Sequence, residues 1–383
     1  MRLPIIDRYL LTQFFQVFAI CFCSFTGLYI VIDAFSNLED FVTFSAKHGS
    51  LFAALSEYYL YRTLAFFDAT SSILTLVSSM FTLAWFQRNN EMTALMAAGV
   101  PKSRIVRPLV IAVGGITFLA LLNREVVIPA FRDRCSRDVH DLGGETAKKL
   151  TPRFDGATNI LFRGDQTFAK EARITNPSLL IQSPSLAVYG GQLLAESAVY
   201  MPAHDGHPSG YLLRGMKQPR DLAKKESLKL DPSDQEPVIL TPRDYDWLKP
   251  DECFVASEVT FEQLTNADTW RQYSSTWQLI GGLHNPSLDF GADVRVAVHA
   301  RLLQPVLDMT LLFLGLPLLL TRETRNMFLA VGMCLGVVIG FMLVVMACQY
   351  LGTNLYLGPA LAVWCPAILF IPLAVYLAEP LRE

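Results

Sequence analysis

The sequence predicts an α-helical membrane protein with six transmembrane helices, three on each side of an inserted all-β, jelly-roll-like domain. Three observations carry that class. Of 383 residues, 52% are hydrophobic and 17% charged, with a mean hydropathy of +0.32, whereas an ordinary soluble domain is about 25% charged. The apolar excess is gathered into long uncharged runs, and the middle third reads like soluble protein. A net charge of -3 and a pI near 6.1 argue against nucleic-acid binding, which asks for a basic face.

The spans come in order. A helix needs about 20 mostly apolar residues to cross the hydrocarbon core. Residues 14–32 form one such run, 63–86 a second interrupted by Asp68, and 109–127 a third with Arg124 and Glu125 near its end. Residues 302–320 (with Asp308 inside), 327–348 and 355–378 form the other three. The first run is too long for the about 7–15-residue apolar region of a signal peptide and lacks a small-residue cleavage site before Asp33, so it reads as a retained anchor.

Lys and Arg in the short loops set the orientation. Arg2, Arg8, Arg88, Lys102, Arg104, Arg107, Arg322, Arg325 and Arg382 all fall on one side of a six-span chain, and the opposite short loops hold only Lys47 and Arg62. Both termini are therefore expected in the cytoplasm, with the insert across the membrane in the periplasm. The expected domains are 1–128 (spans one to three, with a cytoplasmic helix at about 88–100), 129–300 (the insert) and 301–383 (spans four to six).

Cys21, Cys23, Cys334, Cys348 and Cys365 fall within spans, where they pack as small apolar residues. Cys135 and Cys253 lie in the insert, and whether they form a disulfide is open, because the required geometry cannot be read from spacing. No C-x-x-C pair points to zinc or redox chemistry.

The insert carries short β-prone pieces at 159–163, 166–174, 185–189, 192–201, 211–214, 238–241 and 253–259, separated by Gly-Asp, Asn-Pro, Ser-Pro and Gly-Gly turns. Such spacing predicts a sandwich or jelly-roll-like sheet pair. Residues 219–237 are charged and read as loop, and 260–279 carry a weaker helical pattern.

Candidate chemistry is sparse. No P-loop, nucleophile elbow or H-E-x-x-H stretch is present, so no cofactor or metal site and no catalytic residue is expected. His204 and His207, between Pro202 and Pro208, read as a solvated turn rather than a metal site. Asp68 and Asp308 are costly inside a span, and each reads as a carboxylate near the outer helix end that reaches interfacial water. Leu51, Phe52, Leu55, Tyr58, Tyr59 and Tyr61 form a stripe that reads as interfacial anchors.

One short loop carries a sharper pattern. Met92, Leu95, Met96 and Gly99 follow i, i+3, i+4, i+7 spacing, which predicts a short amphipathic helix over 90–98. Gly99 is a natural terminator, and Pro101 suits the first turn of the next helix. Glu91, in the first turn, is favoured by the helix dipole and left to meet a cation on a partner. A helix that merely turns the chain at the interface explains the same pattern, and the residues alone leave both readings open.

Five stretches together resemble the LptF/LptG (YjgP/YjgQ) lipopolysaccharide-export permeases. Asp7-Arg8-Tyr9-Leu10 resembles the family's opening, and Val31-Ile32-Asp33 the step that ends its first span. Asn90-Glu91-Met92 through Ala98-Gly99-Val100 resembles its coupling-helix stretch. His299-Ala300-Arg301 with Pro305, followed by Leu316-Pro317, is similar to the start of its fourth span. Pro359 with Trp364-Cys365-Pro366 is similar to its last span. In the insert, Leu194-Ala195-Glu196-Ser197-Ala198 resembles a family strand. The family often carries basic residues at the outer end of the first span, whereas Asp33, Glu39 and Asp40 make that end acidic here.

The resemblance implies a half-transporter without its own nucleotide site. A second LptF/LptG-like permease would face it, and a cytoplasmic ATPase dimer would dock on Glu91, Met92, Leu95, Met96 and Gly99. Spans one and five would gate a cavity for lipopolysaccharide or a similar amphiphile drawn from the outer leaflet of the inner membrane. A periplasmic bridge protein would receive it. Asp33, Arg132, Arg134 and Arg137 are the candidate substrate contacts, although a juxtamembrane Arg cluster also binds headgroups without selectivity. Gly332, Gly336 and Gly340 suit close helix contact in span five. A scaffold or sensor with a periplasmic β domain, or a lipoprotein-release or efflux permease, are the alternatives.

Overall fold

The computed structural model describes residues 4–48, 50–136, 147–204, 207–220, 222–230, 236–288, 290–320 and 327–379. The chain divides into two compact units, Met1–Cys135 with Gly291–Glu383, and Ser136–Phe290.

The first unit is helical. Its helices are α1 (Ile5–Ser36), α2 (Leu38–His48), α3 (Leu51–Arg88), α4 (Glu91–Ala97) and α5 (Lys102–Leu122). A π-turn (Asn123–Val127) and the short α6 (Ile128–Ala130) continue α5, and α7 (Arg132–Cys135) follows. Among the described residues six helices have the length and apolarity to cross a membrane: α1, α3, the run Lys102–Ala130, and the last three helices of the chain. They extend beyond the uncharged runs, because helix propensity does not stop where hydropathy does. At about 1.5 Å per residue, the 38 residues of α3 reach well past a hydrocarbon core of about 30 Å.

Leu10 and Phe14 of α1, Leu83 and Phe86 of α3, and Ile105 and Leu109 of α5 belong to one buried apolar cluster that also holds Met92. Cys135 is a buried free thiol at the end of this unit, pushed up to about 11 by burial.

The second unit is built on one antiparallel sheet. Its strands are β1 (Lys148–Lys149), β2 (Arg153–Asp155), β3 (Ile160–Arg163), β4 (Gln166–Phe168), β5 (Arg173–Thr175), β6 (Ser178–Ile181), β7 (Gln192–Met201), β8 (Gly210–Gln218), β9 (Ile239–Leu240) and β10 (Glu252–Ala256). The ten residues of β7 organise it. β6 pairs with its first half and β5 with its second, while β8 pairs along its length. β10 then joins β8 to β9.

Ile160, Phe162, Ile174, Leu213 and Val255 fill the core, with Tyr211 donating from Oη to the Val259 carbonyl at 3.0 Å. The buried Asp155 accepts from Ser257 Oγ at 2.6 Å and from the Ala157 and Thr158 amides at 3.0 and 3.2 Å, which offsets the cost of burying a charge. Gly210 is required where β8 starts, because a Cβ there would lie 2.2 Å from the Val255 carbonyl oxygen.

Several expectations are corrected here. The piece at 166–174 is two strands, β4 and β5, turned at Ala172, whose φ is 46°. The piece at 185–189 is no strand. Pro184 removes a donor, the Leu186 and Ala187 amides fold back on the Ser183 carbonyl, and Leu186 becomes a fully buried plug. β1, β2 and β6 went unanticipated. The pattern at 260–279 resolves into α8 (Phe261–Thr265), α9 (Ala267–Tyr273) and α10 (Thr276–His284), with capping boxes at Thr260 and Ser275. Back in the first unit, the remaining helices are α11 (Ala292–Leu320), α12 (Met327–Thr353) and α13 (Pro359–Ala378). Proline stands inside α11 at Pro305 and Pro317 and inside α13 at Pro366 and Pro372, a pattern that bundled membrane helices tolerate.

Candidate functional site

The loop between α3 and α5 takes its shape for reasons written in its residues. Asn90 adopts the left-handed conformation at φ 59° to start α4, and Gly99 does so at φ +80° to end it. The Gly99 amide bonds the Met96 carbonyl at 2.9 Å and the Val100 amide bonds Leu95 at 3.0 Å, which is the Schellman pattern. Pro101 is the N-cap of α5 rather than a first-turn residue.

The faces of α4 divide differently from the expected stripe. Met92 is buried in the helical core and Leu95 packs against it, while Met96, Ala97 and Gly99 are exposed. Glu91 is not left open, since Tyr9 Oη donates to its Oε1 at 3.3 Å. Tyr9 also lies against Phe86, ring centroids 5.4 Å apart. On the other flank, Arg104 Nη2 donates to Asp7 Oδ2 at 3.1 Å, and that Asp is buried. The start of α1 is thus held on both sides of the loop, by Glu91 at the start of α4 and Arg104 in the first turn of α5. Sequence reasoning flagged Asp7-Arg8-Tyr9-Leu10 only as a resemblance. Its residues prove to be the two arms of this clasp, with Leu10 driven into the core.

At the opposite end of α1, Asp33 accepts from Tyr59 Oη at 2.7 Å. The tyrosines of α3 are not lipid-facing anchors. Tyr58 and Tyr59 are buried, edge-on to each other at 5.1 Å, and Phe41 packs on both. Tyr58 and Tyr59 turn inward, where Arg62 and Asp33 give their hydroxyls polar partners, while Phe52 stays exposed. Arg134 donates to Glu57 at 2.6 Å and stacks over the Tyr61 ring, so Asp33 and Arg134 are both tied to one stretch of α3. Arg132 is half-buried. Arg137 lies outside the described residues.

Between these ends lies a polar cluster that corrects the reading of Asp68 and Asp308. Asp68 forms a two-pronged pair with Arg124, both contacts at 2.9–3.0 Å. Asp308 accepts from Ser72 Oγ at 2.7 Å and Gln304 Nε2 at 2.9 Å. Arg124 sits in the π-turn and Arg301 lines the same small cavity. The carboxylates find partners inside the bundle rather than interfacial water, because α3, the π-turn and α11 bring donors to them. The signal was present in part: Arg124 was visible near the end of span three but was not paired with Asp68.

His204 and His207 exchange backbone hydrogen bonds of 3.2 and 3.1 Å, and the His207 ring rests 5.4 Å from Trp247 and 5.6 Å from Phe254. Among the described residues no group of three or more His, Cys, Asp or Glu is placed to hold a metal.

With that geometry in hand, comparison with known proteins gives one family. The model described as lipopolysaccharide export system permease LptF/LptG matches residues 8–154 and 214–379. The match takes in α4, the clasp partners Tyr9, Glu91 and Arg104, and the outer-end residues Asp33, Arg132, Arg134 and Arg137. It leaves out 155–213, where Leu194–Ala198 lies. No curated protein matches the chain.

Proposed function

Since the chain belongs to the lipopolysaccharide export permease family LptF/LptG, we propose that this permease is one half of an exporter driven by a separate cytoplasmic ATPase dimer. A second LptF/LptG-like permease completes the cavity, and a periplasmic bridge protein takes the lipid away. The chain lies in the bacterial inner membrane with both termini cytoplasmic and the β unit periplasmic, as the Lys and Arg of the short loops favour.

The observation that carries the mechanism is the clasp at the start of α1. An ATPase seated on the exposed side of α4, at Met96 and the Gly99 turn, moves the loop that carries it. Glu91 and Arg104 relay that movement to Tyr9 and Asp7, and so to the helix that gates the cavity. A lipid with several acyl chains is held by about 0.8 kcal/mol for each CH₂ kept from water, so extraction needs both a coupled motor and a covered path. At the outer end, the Arg134–Glu57 pair is exposed and such pairs are worth little. A lipid phosphate can therefore replace Glu57 on Arg134 at small cost.

The test is affinity purification of the tagged chain in mild detergent, with and without Met96→Lys on the exposed side of α4. Recovery of a P-loop ATPase and a second permease with the native chain, and loss of the ATPase with the variant, is the expected result. A chain that repeatedly purifies alone favours the scaffold or sensor reading instead.

A further inference from the structure

A groove of about 510 Å³ runs down the membrane unit between α5, α11 and α13. It plays no part in the clasp or in the outer-end site. Its walls are apolar: Val106, Val110, Val306, Met309, Phe313 and Val375 face it. The hydroxyl of Thr310 is already spent on the Val306 carbonyl at 2.7 Å, so it presents no unmet polar group. Each helix contributes about two turns, or about 10 Å of length. That is most of one leaflet's share of a hydrocarbon core about 30 Å thick.

One end of the groove differs. There α5 supplies Ser103 and Arg107. Arg107 is exposed and finds no acidic partner among the described residues, while its neighbour Arg104 is committed to Asp7. A fixed cation at the mouth of an apolar slot one leaflet deep has the shape and charge of a glycerophospholipid: phosphate outside, acyl chain within. A partner's apolar transmembrane helix fits it less well, because it would leave Arg107 at the groove's mouth without an anion.

We propose that this groove holds one anionic phospholipid of the leaflet on the α4 side, its phosphate on Arg107 and one acyl chain between α5, α11 and α13. The site is separate from the export path, so it stands whether or not the transport reading does. A lipid bound there wedges α5, which carries Arg104 of the clasp, against α11 and α13.

The experiment places a photoreactive benzophenone amino acid at Val375 of the full chain in native membranes and weighs the adduct after illumination. An adduct with the mass of phosphatidylglycerol or another anionic phospholipid is expected, falling at least fivefold in Arg107→Gln. Arg88→Gln, another exposed basic residue on the same side, serves as the charge control and leaves the yield unchanged. An adduct with a polypeptide, with lipopolysaccharide, or with zwitterionic phospholipid in proportion to its abundance overturns the proposal, as does an anionic adduct indifferent to Arg107→Gln.

Discussion

Two sets of membrane helices in this chain are built on different terms. In α3 and α11, 39% and 44% of the apolar window is buried, at mean hydropathies of 1.4 and 1.3; in α1 and α12 only 6% and 22% is buried, at 2.1. Among these four the less hydrophobic helices are the interior ones, whereas the run Lys102–Ala130 is equally buried at a mean hydropathy of 2.2. α3 and α11 carry the polar cluster of Asp68, Ser72, Gln304 and Asp308, which bilayer lipid would not tolerate. The greasier helices present their sides outward: Ile20, Leu28 and Ile32 on α1, and Leu335, Leu343 and Met346 on α12, are exposed. A Cβ added at Gly332, Gly336 or Gly340 would meet no atom within 4 Å. The difference separates a better-buried frame from surfaces that lipid or a second subunit would cover, on the two spans proposed as the gate.

The comparison breaks most visibly if the frame is attacked. Asp68→Ala leaves Arg124 in a half-buried setting without its carboxylate, a class of change that costs about 3–5 kcal/mol. The expected result is a large loss of thermal stability in detergent. Restoring it with Arg124→Leu on the same background would show that the cost is the orphaned charge. Exposed positions of α1 behave oppositely. Leu28→Ala should stay within about 0.5 kcal/mol for the isolated chain, yet weaken assembly with a second permease if that face is covered by one.

An intermediate effect is expected in the loop that carries α4. Gly99→Ala forces a side chain into the left-handed region, at about 1–2 kcal/mol. Nothing lies within 4 Å of the new Cβ, so the loss comes from backbone strain alone and should appear as hydrogen exchange confined to α4.

At neutral pH the smallest effect lies in the β unit. Burial pushes the Cys253 thiol from its ordinary 9.0 up to about 12. The folded state favours the neutral thiol, so its contribution is intact below pH 9 and is lost as pH rises from 9 toward 12. Cys253→Ala should flatten that part of the stability–pH curve, and equal slopes in the two proteins would contradict the burial argument.

The parts of this design that lie close in sequence were legible there. Gly99 and Pro101 punctuate α4 whatever packs around it, and the length of the first apolar run gives a helix long enough to cross a membrane. What escaped depends on distant partners. Asp68 and Arg124 are 56 residues apart, and no pattern along the chain says that α3 and the π-turn meet. The tyrosines at 58 and 59 have the composition of an interfacial belt, and contacts with Asp33, Phe41 and Arg62 turn them inward. β1, β2 and β6 run two to four residues, too short for alternation to register. The turn at 169–172 contains neither Gly nor Pro. The clasp was half visible, because Tyr9 and Glu91 lay in separate motifs whose contact required the fold.

The central claim is that motion at α4 reaches α1 through Tyr9 and Asp7. Its most direct test is lipopolysaccharide release from proteoliposomes holding the assembled exporter, measured per ATP hydrolysed, for Tyr9→Phe combined with Asp7→Asn. The account predicts hydrolysis close to native with release per ATP reduced severalfold. Native release per ATP in that double variant would contradict it.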